Sequence, residues 1–378
     1  MSHNFSYWEK TSFLSGFDIL IIGSGIVGLS AALHLKKKRP EWNIGVLESG
    51  FLPSGASTKN AGFACFGSIS ELLEEFKTHS EDEVLSIIEM RWKGLQKLRK
   101  TLGDHVISFE NYGGFELFKH DESDLSEQCI NNIPHFNRLL QDIIGKPDIY
   151  AVKNAKIAEF GLAGINHIIC NKYEAQINTG RMLRALLSYV QGLGVLILNN
   201  CKVNELEEDS SRQILHTNQG ILRSERVIIA TNAFGRELIP ELDVKPGRGQ
   251  VLITEPVHNL KIKGTFHYNR GFTYFRNIDD RILLGGFRNL DFKTEETFSP
   301  GTTDIIQNSL EKLLYECIVP KRKLKIEQRW SGIMGFGKEL KPIIRKLNPG
   351  VYCAVRCNGM GIAMGSLSGQ MVADLVEV

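Results

Sequence analysis

The chain has 378 residues, 42% hydrophobic and 23% charged, with a formal net charge of +2. That is the balance of an ordinary globular protein long enough for two domains, and it leaves no electrostatic footprint for nucleic acid or an anionic membrane. Seven cysteines, without CxxC or zinc-ribbon spacing, fit a reducing compartment better than a disulfide framework. The opening MSHNFSYWEKTSFLSG has no apolar h-region and no apolar stretch is long enough to span a bilayer, so a cytoplasmic protein with no transmembrane segment is expected.

The first element is a short apolar run, Asp18–Ile22, which reads as a strand covered on both faces. Gly23, Gly25 and Gly28 follow with G-x-G-x-x-G spacing and open a helical pattern of Ile26, Leu29, Ala32, Leu33 and Leu35. Lys36–Arg39 place cations at its end, Pro40 closes it, and a second strand, Ile44–Leu47, ends in Glu48. This is the dinucleotide fingerprint. The glycines serve the tight turn, the approach of backbone to a pyrophosphate and the packing of helix on strand, and the acid serves an adenosine ribose. A helix N-terminus supplies free N–H groups for the pyrophosphate. The fingerprint alone does not separate NAD from FAD.

The next segment, SGASTKNAGFACFGS at Ser54–Ser68, is rich in small residues and backbone donors that can lie along a long flat ligand. With the fingerprint, it resembles the FAD-dependent D-amino acid oxidase superfamily, which includes glycine, sarcosine and γ-glutamylputrescine oxidases. There a GASGRNGG-like loop runs beside the flavin; here it is GASTKNAG, Gly55–Gly62, with Lys59 in place of an arginine. Later segments match in order. EAQINTGRMLRALLSYVQGLGVLIL (Glu174–Leu198) resembles the family's approach to a helix and strand, with Asn178 or Thr179 as the cap. ERVIIATNAFGREL (Glu225–Leu238), RWSGIMGFGKELKP with its W-x-G, and VYCAVRCNGMGIAMGSLSGQMVADL also match. The resemblance implies contacts to FAD from Gly23, Gly25, Ile26, Gly28, Glu48 and Ser49, and from Ser57, Thr58, Lys59, Asn60, Ala61 and Gly62 of the flavin-side segment. Val203, Thr231 and Asn232 would hold the dinucleotide elsewhere, and Asn358, Gly359, Met360, Gly361 and Ile362 would approach the flavin edge.

The implied fold is a Rossmann-like α/β FAD-binding domain with an inserted, mostly antiparallel-sheet substrate domain with helices on its outer side. The FAD domain would take residues 1–110, 178–242 and 341–378, and the substrate domain 111–177 and 243–340. Ser123–Ile144 reads as an amphipathic helix, and in FTYFR the residues Phe272, Tyr274 and Arg276 share one strand face, Thr273 and Phe275 the other.

The implied activity is oxidation of a small amine or amino acid by hydride transfer to non-covalently bound FAD, giving an imine, with O2 or a quinone or carrier as acceptor. No metal is implied, and no nucleophile motif or Cys/His ligand cluster is present. Lys59, Tyr268, Tyr274 and Arg276 are the candidates for contact with the chemistry. Glycine oxidase-like members carry a carboxylate-binding arginine just after the W-x-G; Met334 falls in that stretch here, leaving Arg276, Arg288, Arg329 and Arg356 as possible substitutes. The lysine that activates oxygen in sarcosine oxidases would fall near Leu283 and is also missing. These absences keep open a second class, a flavoprotein that relays electrons without turning over a substrate.

Overall fold

In the computed structural model, which describes residues 4–209, 212–320 and 322–376, most strands belong to two eight-stranded sheets. The first grows from the opening apolar run. Strand Phe17–Ile22 pairs in parallel with Ile44–Leu47 on one side and Gly220–Ile229 on the other. Leu196–Leu198 and Val351–Val355 extend the parallel array, and Ile343–Asn348 closes one edge antiparallel. Side chains alternate, so Ile19 and Ile21 enter one core while Leu20 and Ile22 enter another. Both faces are covered, which is why these strands read as unbroken apolar runs.

Helix Ile26–Lys38 leaves the first strand through Gly25 and ends in three lysines that complement its partial negative charge. Helix Gly361–Leu375 crosses it closely. A Cβ on Gly365 would lie 2.6 Å from the Ile26 side chain, and one on Gly369 would lie 2.5 Å from the Val27 carbonyl oxygen. Asn178 caps helix Thr179–Gly192, its side chain accepting from the Arg181 N–H at 3.0 Å.

The second sheet runs in the order Ile326–Phe336, Lys245–Thr254, Arg281–Gly286, Thr273–Ile278, Thr265–Tyr268, Gly114–Lys119, Ile165–Asn171, Tyr150–Val152. It is antiparallel except where Thr265–Tyr268 meets Gly114–Lys119. Period-two alternation divides its faces. Phe115, Leu117, Phe266, Phe275, Ile282 and Leu284 join an apolar core that includes Ile306 and Leu310 of helix Asp304–Leu313. On the opposite face, pairing aligns Glu116, His267, Tyr274 and Gly285 in one cross-strand row. Helix Ser123–Ile144 forms as expected, but on that second face, where it packs with Phe118 and Ile169 rather than on the outer side.

The flavin-side segment joins the sheets. Phe63–Ala64 pairs with Ala175–Gln176. Arg276, buried at 3% exposure, donates from Nη1 to the carbonyls of Ala61, Gly62 and Ile177 at 3.1, 3.1 and 2.7 Å. The W-x-G acquires a physical reason here. The Trp330 indole N–H donates to the Lys59 carbonyl at 3.1 Å, and a Cβ on Gly332 would come within 2.9 Å of the Lys59 Cβ. Arg276→Met should lower stability by about 2–4 kcal/mol in chemical denaturation, because it strands buried carbonyls. Arg276→Lys should recover only part of this, since an ammonium cannot reproduce the fork. Wild-type stability in the methionine variant would show that the guanidinium is dispensable.

Candidate active site

A cleft of about 630 Å³ runs between the two sheets. At one end lies the glycine turn. Gly23 has φ +104, and a Cβ there would sit 2.8 Å from the Ala230 carbonyl oxygen. A Cβ on Gly28 would lie 2.0 Å from the Gly23 carbonyl oxygen, so the helix can approach its strand only as glycine. Glu48, 6% exposed, accepts from Ser24 Oγ at 2.6 Å, Ser24 N–H at 3.2 Å and Gly50 N–H at 2.9 Å. The Ser57 hydroxyl accepts from the Ile26 N–H at 3.0 Å, occupying the first donor of the helix N-terminus. Thr231 adds a buried hydroxyl that no protein group satisfies. A long cleft with a glycine turn, a helix N-terminus, a buried acid and an orphaned hydroxyl fits a dinucleotide.

The flavin-side segment makes one helical turn, Ala56–Lys59. Asn60 then stabilises it, donating to the carbonyls of Ala56 and Ser57 at 2.9 Å and accepting from Gly62 N–H at 2.8 Å. Ser57, Lys59, Asn60, Ala61 and Gly62 line the cleft, as do Gly23, Gly25, Ile26, Glu48, Ser49, Val203, Thr231, Asn232 and the stretch Asn358–Ile362. A Cβ on Gly359 or Gly361 would meet no protein atom closer than 3.8 Å, so packing demands glycine at neither, although the backbone of Gly359, with φ +82, favours it.

Four expected site residues lie elsewhere. Gly28 packs behind the turn, and the Thr58 hydroxyl bonds the Pro53 carbonyl at 2.7 Å instead of facing the cleft. Arg276 shares the cleft-side face of its strand, but its guanidinium is spent beneath the flavin-side segment; burial lowers its pKa to about 10. It positions that segment and touches no substrate space. Tyr268 points to the opposite face, against the outer core and beneath the Lys119 ammonium at 4.8 Å. Tyr274 does line the cleft, beside Phe63 at 5.5 Å between ring centroids, and burial pushes its hydroxyl up to about 12. Of the other arginines considered, Arg329 pairs with Glu311 at 2.6 Å, and Arg356 with Asp243 and Glu339 at 2.8 and 3.0 Å.

His267 was not legible as a site residue. It lines the cleft next to Tyr274, its ring edge-on to Phe63 at 5.3 Å, with Nε2 3.4 Å from Glu174 Oε2. Glu174 in turn accepts from the N–H groups of Phe66 and Gly67 at 3.0 and 3.1 Å. Burial alone would lower the imidazole pKa. Glu174, with Glu71 and Glu116, more than offsets that and raises it to about 9. Glu116, bonded by Ser70, is raised by burial to about 7. The cleft-lining thiols Cys65 and Cys357 are pushed up by burial, Cys357 to about 12, which makes both poor nucleophiles for a covalent tether.

The His267 shift fixes a sign. A histidine whose folded pKa exceeds its unfolded value contributes stability that is fully present below about pH 6.5 and lost as pH rises through about 9. Chemical denaturation at pH 6.5, 8 and 9.5 should show a decline of roughly 1–3 kcal/mol that His267→Gln removes. An unchanged decline in the variant would assign it to other groups.

The comparisons with known proteins agree with this geometry. The family described as FAD dependent oxidoreductase matches residues 18–375. Glycine oxidase of Geobacillus kaustophilus is 26% identical over 389 residues, covering 96% of this chain and 93% of that protein. Gamma-glutamylputrescine oxidoreductase of Escherichia coli is 22% identical over 383 residues, covering 95% and 83%. The crystal structure of the Geobacillus kaustophilus glycine oxidase superposes with a TM-score of 0.76 at 22% identity, over 95% of this chain and 94% of that one. Among the described residues no helix is long and apolar enough to cross a membrane. With its family match running almost from end to end and a cleft shaped for a dinucleotide, the chain belongs to the DAO family of FAD-dependent oxidoreductases.

Proposed function

We propose that the protein oxidises a small amine or amino acid at the carbon next to nitrogen, yielding an imine. Bound FAD would supply the hydride acceptor at N5 of its flavin. The observation that carries this reading is the shape of the cleft. It continues past the flavin-side segment into a space lined by Phe63, Phe272, Tyr274 and Phe336, where a substrate has room beside the flavin position. Relatives named glycine oxidase and gamma-glutamylputrescine oxidoreductase support the substrate class.

The chain's own part is orientation and exclusion of water. Phe63 and Tyr274 give the substrate a rigid wall, and Arg276 and Trp330 hold Lys59–Gly62 in register with it. Gly23, Gly25 and Glu48 would hold the adenosine and pyrophosphate end, and Lys59 and Asn358–Ile362 would approach the flavin ring. The electron acceptor is proposed to be O2 or a quinone or carrier. We take the FAD domain as residues 1–110, 178–242 and 341–378, with the rest forming the substrate domain, in the cytoplasm.

Glu48→Ala should weaken FAD binding by about 1–3 kcal/mol, the cost of losing hydrogen bonds to a charged acceptor. Titration of apoprotein with FAD measures it, and unchanged affinity would remove Glu48 from the cofactor site. For the reaction, anaerobic mixing of the FAD-loaded protein with amines and amino acids should bleach the flavin band with at least one of them. Bleaching by none would leave a flavoprotein that relays electrons without substrate turnover.

A further inference from the structure

Three segments far apart in the chain meet at one buried point beside the cleft. Strand Phe63–Ala64 pairs antiparallel with Ala175–Gln176, and the register that sets Ala64 opposite Ala175 brings Cys65 beside Glu174. His267 reaches them from strand Thr265–Tyr268 of the second sheet. Cys65 Sγ, a Glu174 carboxylate oxygen and a His267 ring nitrogen all lie within 4.8 Å of one another. The residues are 1%, 1% and 8% exposed. No motif spacing announces this trio, because only the folded chain assembles it. One other trio among the described residues, Glu205, Glu207 and His216, is as close, but it lies at the surface, where His216 pairs with Glu207 at 3.1 Å.

The buried trio is built in two respects. His267 Nε2 lies 3.4 Å from Glu174 Oε2, yet it makes no hydrogen bond to any protein group. Buried ring nitrogens are rarely left so. Nitrogen and oxygen ligands of one tetrahedral zinc stand about 3.4 Å apart, so this is the separation of two ligands of one ion. The carboxylate is also held in place. Glu174 Oε1 accepts from the N–H groups of Phe66 and Gly67 at 3.0 and 3.1 Å, which leaves Oε2 aimed at the trio. A Cβ on Gly114 would lie 2.0 Å from that Oε2, so only glycine on the neighbouring strand leaves the oxygen its place. Thr265 Oγ1, 3.5 Å from Cys65 Sγ, can donate to a thiolate there.

We propose that Cys65, Glu174 and His267 bind a thiophilic divalent cation of the Zn2+ class, with its fourth position open to the cleft. Mixed sulfur, nitrogen and oxygen donors suit zinc, whereas magnesium and calcium take oxygen alone. Thiolate and carboxylate together cancel the charge of the cation, so the buried assembly is neutral. Glu116, opposite His267 across the sheet, and Glu71 of the cleft lining add negative charge nearby. Cys65 and His267 both line the cleft, and three protein ligands leave one position there for water or a ligand atom. Coordination displaces the thiol proton, and any second imidazole proton, into solvent; nothing is oxidised or reduced. The site does not rest on the proposed amine oxidation.

The test is equilibrium dialysis of FAD-loaded protein, first freed of metal by a chelator, against micromolar Zn2+, followed by metal analysis. Wild type should retain one Zn2+ per chain. Cys65→Ser and His267→Gln should each weaken binding at least about 100-fold, beyond what loss of an outer-shell partner costs. His216→Gln, which removes the surface trio, should bind as wild type does. Co2+ then serves as a spectroscopic probe. Its difference spectrum should show a thiolate-to-cobalt charge-transfer band in wild type that is absent from Cys65→Ser. Retained FAD and an unchanged circular dichroism spectrum exclude misfolding; should one variant fail these controls, the other and the wild-type cobalt band decide. The proposal is overturned if wild type retains no Zn2+, or if binding survives undiminished in the Cys65 and His267 variants. Loss of binding in His216→Gln, or a cobalt band that persists without Cys65, overturns it as well, since the metal then sits elsewhere.

Discussion

The guanidinium of Arg276 reaching three carbonyl groups is the contact on which the cleft depends. Its strand belongs to the second sheet, whereas two of those carbonyls belong to the segment that follows the dinucleotide turn. A buried, unpaired carbonyl is costly, and so is a buried cation without acceptors; here each satisfies the other. The segment from Lys59 to Gly62 is thereby fixed relative to Tyr274, two residues from Arg276 on the same strand face. Trp330, three strands further along the same sheet, adds a second anchor on the Lys59 carbonyl. The walls that would flank a flavin are thus set by hydrogen bonds to backbone, and the Lys59 side chain still lines the cleft.

Behind this wall sits a group of ionisable residues with little access to water. Glu174 holds the chain at Phe66–Gly67 with one oxygen and faces His267 with the other, while Glu116 takes the Ser70 hydroxyl. Such a group costs desolvation and is tolerable because its members share charge and protons. It gives the substrate end of the cleft an electrostatic character quite unlike the apolar patch around Met334 and Phe336.

What could be read in the sequence was what local pattern encodes. The turn from Gly23 to Gly28, the strand ending in Glu48 and the cap at Asn178 depend on neighbours within a few tens of residues, and all three form where the pattern put them. Strand alternation correctly put Phe272 and Tyr274 on one face. It could not tell that Arg276, on that same face, would turn beneath the backbone. Tyr268 is a candidate in the sequence, but once the strand Thr265–Tyr268 is bounded, alternation gives the cleft to His267. His267 itself owes its setting to Glu116, which meets it through sheet pairing, and to Glu174, which reaches it from the turn before Ala175; both lie far away in sequence. Nothing local announces such a meeting.

The close crossing of the helices Ile26–Lys38 and Gly361–Leu375 bears on how the protein is made. The first βα unit leaves the ribosome early, yet the helix that covers it and the strand Val351–Val355 that widens its sheet come from the far end of the chain. Until those residues emerge, the apolar side of Ile26 and Val27 has no partner, and contacts of such long sequence separation form slowly. The nascent N-terminal half therefore waits with exposed apolar surface for as long as synthesis of the remainder takes. A truncation that removes only the last helix would leave the glycine turn chemically intact but without the layer that holds it in shape.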